Sequence, residues 1–210
     1  MRSIIIPMCG DVEKSLRISD VCKLAAVDAY ETLNVTDDKV YFVVKHDDNV
    51  KHHLADMIWL NVPNATVVEI QDSTSAPDTI AQCIEKENIE GEIFIKDVGT
   101  KFTAEFPTET NYVSCADLNR MGNITPSNYS YVKVDDMGTI NTICEKKVIS
   151  NMFCCGGYGF KDAKQFVKYF HKLNAMVGNK FYISHIVFDM LLHDESFEMQ
   201  KVENLKFFGE

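Results

Sequence analysis

Four apolar runs, each followed by a helix-like or turn-forming stretch, set the limits on what the first hundred residues can fold into. They are "SIIIPM", ended by Gly10, then "KVYFVVK", "ATVVEIQ" and "EIFIKD". Between them, "DVCKLAAVDAYETL" spaces Val21, Leu24, Ala25 and Ala29 along one helical face. "HDDN" forms a turn after the second run, "VKHHLADMIWL" reads as a helix, and "TSAPDTIAQCIEKENI" opens on turn and capping residues and continues helically. Buried-type strands alternating with helices are the pattern of a Rossmann-like, mostly parallel sheet with helices on both faces, so the chain is read as α/β.

In such sheets ligands settle beyond the carboxyl ends of the strands. Pro7 to Gly10, Gln71 to Thr79 and Asp97 to Lys101 are expected on that edge. Asp97 is the sharpest feature there, because the run "EIFIKD" drives into an acid and breaks at Gly99. Asp97 either closes an ordinary strand-end turn through backbone N–H groups or meets a metal or a substrate.

The second half is more mixed. "NYVSCADL" and "NYSYVKVDDMGTINTICEKKV" read as strands, with "DDMG" a tight turn, and "FCCGGYGF" as a strand interrupted by glycines. Gly156 and Gly157 suit either a bulge with close packing or a ligand approached by the backbone. "DAKQFVKYFHKL" and "YISHIVFDMLLHDES" are amphipathic helices. His185, Asp189 and His193 share one face of the latter, but Ile186, Val187, Met190 and Leu191 mark its core side, so a solvated polar face is expected rather than a metal site. Phe102, Phe106 and Tyr112 read as core residues. With no repeat or linker, residues 1–210 are expected to form a single domain with a small β-rich extension near 105–160.

Composition narrows the function. The chain has 210 residues, 46% of them hydrophobic, enough for one well-filled core. A formal net charge of −10 argues against binding nucleic acid. It leaves room for a small anionic substrate, whose charge a metal or a few local lysines can meet. The seven cysteines contain no C-x-x-C pair and read as reduced thiols in a cytoplasmic protein. No stretch has the length of a membrane span. No nucleophile elbow, P-loop or Cys–His pair is present.

The order of motifs resembles the nucleotidyltransferase family of sugar-phosphate nucleotidylyltransferases, or NDP-sugar pyrophosphorylases, and their choline-phosphate cytidylyltransferase-like relatives. "IIIPMCG" is similar to the first strand and start of the nucleotide loop. "TSAPDTIAQCIEKENIEGEIFIKD" is similar to the base-side loop, its helix and the strand that delivers a metal-binding acid. "VKVDDMGTINTICEKKVISN" resembles the hairpin ending in the Glu-Lys motif, and "FCCGGYGFKDAKQF" the glycine-containing strand and following helix.

The resemblance implies a nucleotide-diphospho-sugar transferase fold and transfer of a nucleotidyl group from a nucleoside triphosphate to a phosphorylated sugar or alcohol. It implies Mg2+ held by Asp97, catalytic roles for Asp97 and Lys146, and substrate binding by Gly10, Glu145 and Gly157. Implied partners are a nucleoside triphosphate or nucleotide sugar and the phosphorylated acceptor, and a homo-oligomer is compatible with this. The chain also departs from the pattern. Gly10 is followed by "DVEKSLRISDV" without a second glycine, leaving Lys14 or Arg17 to replace the usual loop cation. Gly99 stands where relatives carry a second acid, and "VENLKFFGE" lacks the final Asp-x-Gly-Thr acid. Two other readings stay open. One is an inactive homologue that binds a nucleotide or regulates a partner. The other is a nucleotide-sugar-dependent glycosyltransferase, against which the missing D-x-D after "EIFIK" counts.

Overall fold

Strand β1 (Ser3–Pro7) pairs in parallel with β2 (Lys39–Lys45) on one side and β4 (Ile93–Lys96) on the other, and β2 pairs in parallel with β3 (Thr66–Ile70). The computed structural model describes residues 1–35, 38–121, 125–178 and 180–208. Ile4, Ile5 and Ile6 of β1 and Phe42, Val43 and Val44 of β2 are all fully buried, which is why these runs do not alternate in polarity. Successive side chains still point to opposite faces. Ile4 and Ile6 join one core with Phe42 and Phe94, whereas Ile5 joins a second core with Val43 and Ile95.

Helices α1 (Val12–Ser15), α2 (Ala25–Glu31), α3 (His46–His52), α4 (Leu54–Trp59) and α5 (Ala76–Glu87) connect these strands. After β4 come β5 (Thr100–Thr103), β6 (Asn111–Asp117), β7 (Ser130–Val134), β8 (Ile140–Glu145) and β9 (Met152–Phe160). Helices α6 (Ala163–Val177) and α7 (Ile183–Leu191) and strands β10 (Phe197–Lys201) and β11 (Glu203–Phe207) complete the described chain. The main sheet runs β10-β6-β9-β4-β1-β2-β3. Strand β9 is antiparallel to both its neighbours, β4 and β6, and β10 is parallel to β6. The sheet is therefore mostly parallel, as the sequence implies. The hairpin β7–β8 hangs from β9 through the pairing of Tyr131 with Phe153, and β11 pairs antiparallel with β5 as a separate ribbon.

Several expected elements have other bounds. The helix expected over "DVCKLAAVDAYETL" begins only at Ala25, as α2, because Cys22 takes a left-handed φ of 61° and Ile18 bridges Leu24, making residues 18–24 a loop with Val21 exposed. "HDDN" is helical: Asp47 and Asp48 fill the acidic first turn of α3. The following helix is then broken at His53, left-handed at φ 55°, where Asn49 Oδ1 accepts the Ala55 N–H at 2.7 Å and caps α4. Within residues 105–160, β6 and β9 belong to the main sheet, and only the β7–β8 hairpin projects from it. Phe102 and Tyr112 are buried and Phe106 packs edge-on against Phe94, as core residues do.

Candidate functional site

At the carboxyl end of β1 the chain turns back on itself. Asp11 caps α1 by accepting the Glu13 N–H, and the Ser15 hydroxyl donates to the Met8 carbonyl at 2.6 Å. This fold-back brings Gly10 and Lys14 to face residues 73–76 across a cavity of about 320 Å³, whose floor is Asp97, Val98 and Gly99. On the far wall Ser75 caps α5. A Cβ at Gly10 would meet nothing within 4 Å, so the loop is open above it.

Asp97 leaves β4 directly into this space. Its N–H donates to the Gly156 carbonyl at 2.8 Å, and its Oδ1 accepts the Gly99 N–H at 2.9 Å. Its side chain remains 50% exposed. Beside it, the side chain of Lys96 is fully buried, with Nζ 3.6 Å from Asp97 Oδ1. Burial pulls the Lys96 pKa down from its ordinary value, and the Asp97 charge opposes that.

A second cavity, of about 600 Å³, opens on the other side of Asp97. Lys14, Ala76, Asp97 and Gly99 line both cavities, so the two are halves of one cleft with Asp97 at its waist. Glu145 and Lys146, at the end of β8, lie in the larger half. Glu145 Oε2 accepts hydroxyl hydrogen bonds from Ser184, at 2.5 Å, and from Ser130. Lys146 takes a left-handed φ of 56°, and its Nζ donates to the Tyr182 phenol oxygen at 2.6 Å and lies 4.4 Å from that ring's centre. The hydrogen bond to Tyr182 raises the Lys146 pKa, so the cation is secure at neutral pH. Thus Tyr182 and Ser184, at the start of α7, each hold one member of the Glu-Lys pair.

The described end of the chain closes the same half. Phe207 and Phe208 line it, the Phe208 N–H donates to the Gly99 carbonyl at 2.9 Å, and Arg17 donates to the Phe208 carbonyl. Underneath, Lys101 bridges Asp20 at 2.8 Å and the buried Asp28 at 2.7 Å. Arg17 is therefore committed to the chain itself. Lys14 makes no side-chain hydrogen bond or ion pair among the described residues and faces both halves.

The structure thus gathers Gly10, Asp97, Glu145 and Lys146 along one cleft. It does not bring Gly157 there: a Cβ at Gly157 would stand 2.4 Å from Ser114 Oγ and 2.9 Å from Phe102, inside the packed sheet. The glycine on the cleft is Gly156, with φ 80°, in a bulge where β9 shifts register against β6. Neighbouring strand residues face opposite ways, so the choice between the two glycines depended on pairing that is not visible in the sequence. Tyr182 and Ser184 carry no motif signal, whereas a lysine continuing an apolar strand run into Asp97 was the available clue to Lys96. His185, Asp189 and His193 form no joint site: Asp189 pairs with Lys172 at 2.9 Å, and the His185 ring accepts the Tyr182 N–H.

No group of three or more His, Cys, Asp or Glu side chains able to hold a metal occurs among the described residues. The donor set suits magnesium only in its sparing mode, in which one or two carboxylates bind it and water and substrate phosphates complete the octahedron. Asp97, half exposed with no hydrogen bond to Oδ2 among the described residues, can serve as that carboxylate.

No family model and no curated protein sequence matches the chain. Solved structures do. The nucleoside-diphosphate-sugar pyrophosphorylase from Vibrio cholerae RC9 superposes with a TM-score of 0.77 at 14% identity, covering 98% of this chain and 95% of that one. The inositol-1-phosphate CTP transferase from T. maritima gives 0.74 at 14% identity, covering 98% and 87%. A UDP-glucose pyrophosphorylase solved with UDP-glucose gives 0.70 at 10% identity, covering 97% and 92%. The fold is that of these structures, in line with the fold that the motif resemblance implies. Among the described residues no helix is long and apolar enough to cross a membrane.

Proposed function

We propose that this chain transfers a nucleotidyl group from a nucleoside triphosphate to a phosphorylated sugar or alcohol, with release of pyrophosphate, as a cytoplasmic step in activated-sugar or surface-glycan biosynthesis. The observation that carries this reading is Asp97 at the waist of a two-chambered cleft, with Lys14 facing both chambers and Lys146 in the larger one. The smaller chamber takes the nucleotide, and the larger takes the phosphorylated acceptor between Glu145 and Lys146.

In this arrangement the acceptor's phosphate oxygen attacks the α-phosphorus and the bond to pyrophosphate breaks. Lys146 holds the attacking phosphate, Lys14 faces the departing negative charge, and Glu145, steadied by two serines, takes acceptor hydroxyls. Positioning and charge neutralisation are the main demands of such chemistry. Magnesium bound at Asp97 would neutralise phosphate charge there.

The single carboxylate and the capture of Arg17 by the Phe208 carbonyl favour a second reading, a homologue that binds nucleotide without turning it over. Pyrophosphate release from nucleoside triphosphates with a panel of phosphosugars and phospho-alcohols separates the two. Release that Asp97→Asn abolishes supports transfer. Nucleotide-induced thermal stabilisation with no release across the panel supports the binding protein. Sugar transfer from an already activated donor would overturn both.

A further inference from the structure

The least expected group beneath the cleft is Lys96, which closes β4 after the apolar Ile93, Phe94 and Ile95 and has no exposed surface. Its hydrogen bonding is nevertheless complete. Nζ donates to the carbonyl oxygens of Asp97 at 2.7 Å and Thr100 at 2.5 Å, and to Thr100 Oγ1 at 3.0 Å. The Thr100 hydroxyl spends its own proton on the Cys155 carbonyl at 2.6 Å, so toward Lys96 it acts as an acceptor. Three acceptors for three protons match an ammonium. A neutral amine has two protons and would turn its lone pair onto an oxygen. The Phe102 ring, with its centre 4.9 Å from Nζ, adds a cation–π contact.

The acceptors belong to both ends of the turn that begins at Asp97, and the hydrogen bond from the Gly99 N–H to Oδ1 lies within it. Taking an ammonium out of water is strongly unfavourable unless it is fully paired, and an apolar side chain would continue the strand without that penalty. What the apolar side chain could not do is tie the two ends of this turn together beneath the cleft.

We infer that Lys96 is a positioning residue for Asp97: it braces the 97–100 turn from below, so that the carboxylate is held toward the phosphates and the metal entering with them. This rests on the nucleotide-cleft reading above.

Thermal unfolding of the full chain tests it, with CTP, UTP, ATP or GTP, each with magnesium chloride or with EDTA. In the wild type a triphosphate should raise Tm, and magnesium should enlarge the rise. Asp97→Asn should lose the magnesium-dependent part. Lys96→Met should lose the same part while keeping the magnesium-independent part, and Thr100→Val, which removes one acceptor but leaves the ammonium, should shrink it. A purely structural lysine would lower the starting Tm and leave the magnesium-dependent rise intact, and that result overturns the inference. Should Lys96→Met not fold, an undiminished rise in Thr100→Val overturns it instead. A wild type unmoved by every triphosphate defeats the cleft reading and the inference with it. A wild type that responds to triphosphate but not to magnesium defeats the inference alone.

Discussion

Asp97 Oδ2 lies 1.9 Å from the point where a Cβ on Gly156 would stand, so the acid fills the space that the glycine leaves open. The left-handed φ of 80° at Gly156 further disfavours any side chain there. Gly156→Ala should therefore swing the carboxylate aside and lose about 2–4 kcal/mol of stability, together with any magnesium-dependent nucleotide stabilisation. Gly157→Ala is the control. Its clash is with Ser114 and Phe102 inside the sheet, so Tm should fall while the ligand-induced rise persists. Chemical unfolding and thermal shift on both variants check this.

Lys146 and Tyr182 should affect the acceptor rather than the nucleotide. Losing a charge-assisted hydrogen bond to phosphate is worth about 1.5–3 kcal/mol, so Lys146→Met should raise the KM for the phosphorylated acceptor roughly tenfold or more. Tyr182→Phe keeps the ring under the ammonium but removes the oxygen 2.6 Å from it. A smaller rise of roughly threefold is expected. Nucleotide-induced stabilisation should be unchanged in both, and its loss would place Lys146 on the wrong side of the cleft.

Lys101 is structural. Its amine is 2.7 Å from Asp28, whose side chain is only 7% exposed. Lys101→Met strands that carboxylate and should lower stability by about 3–5 kcal/mol in urea unfolding. Adding Asp28→Asn should recover part of the loss, because the stranded charge is then gone.

High pH should weaken the fold through two thiols. Burial pushes Cys9 and Cys83 up to about 12 from an ordinary 9.0, with Lys45 opposing at Cys9 and Glu87 reinforcing at Cys83. Both are neutral in the folded and unfolded states below the unfolded value, where their contribution is fully present. As pH rises past it the unfolded chain ionises first, so stability falls until the folded value is passed. The urea midpoint should drop as pH rises from about 9 toward about 12, and Cys9→Ala/Cys83→Ala should make that decline shallower.

The parallel half of the sheet was legible because strands buried on both faces appear as apolar runs, and the acid ending one of them marked the cleft edge. The break at His53 was not, since it depends on Asn49 reaching Ala55 rather than on any helix-breaking residue. Strands β5, β10 and β11 escaped notice for a related reason: they are short and mix polar with apolar residues, and only their pairing partners define them. Of the site, Gly10, Asp97, Glu145 and Lys146 were readable from position and motif. Tyr182 and Ser184 were not, because each acts through one atom placed by the fold.

The phenol that steadies Lys146 comes from the N-cap residue of α7, and the hydroxyl that steadies Glu145 from the second residue of that nine-residue helix. The Glu145 and Lys146 side chains are thus mechanically joined through one helix start, and repacking beneath that helix, at Met190 for example, should shift both groups in the same motion.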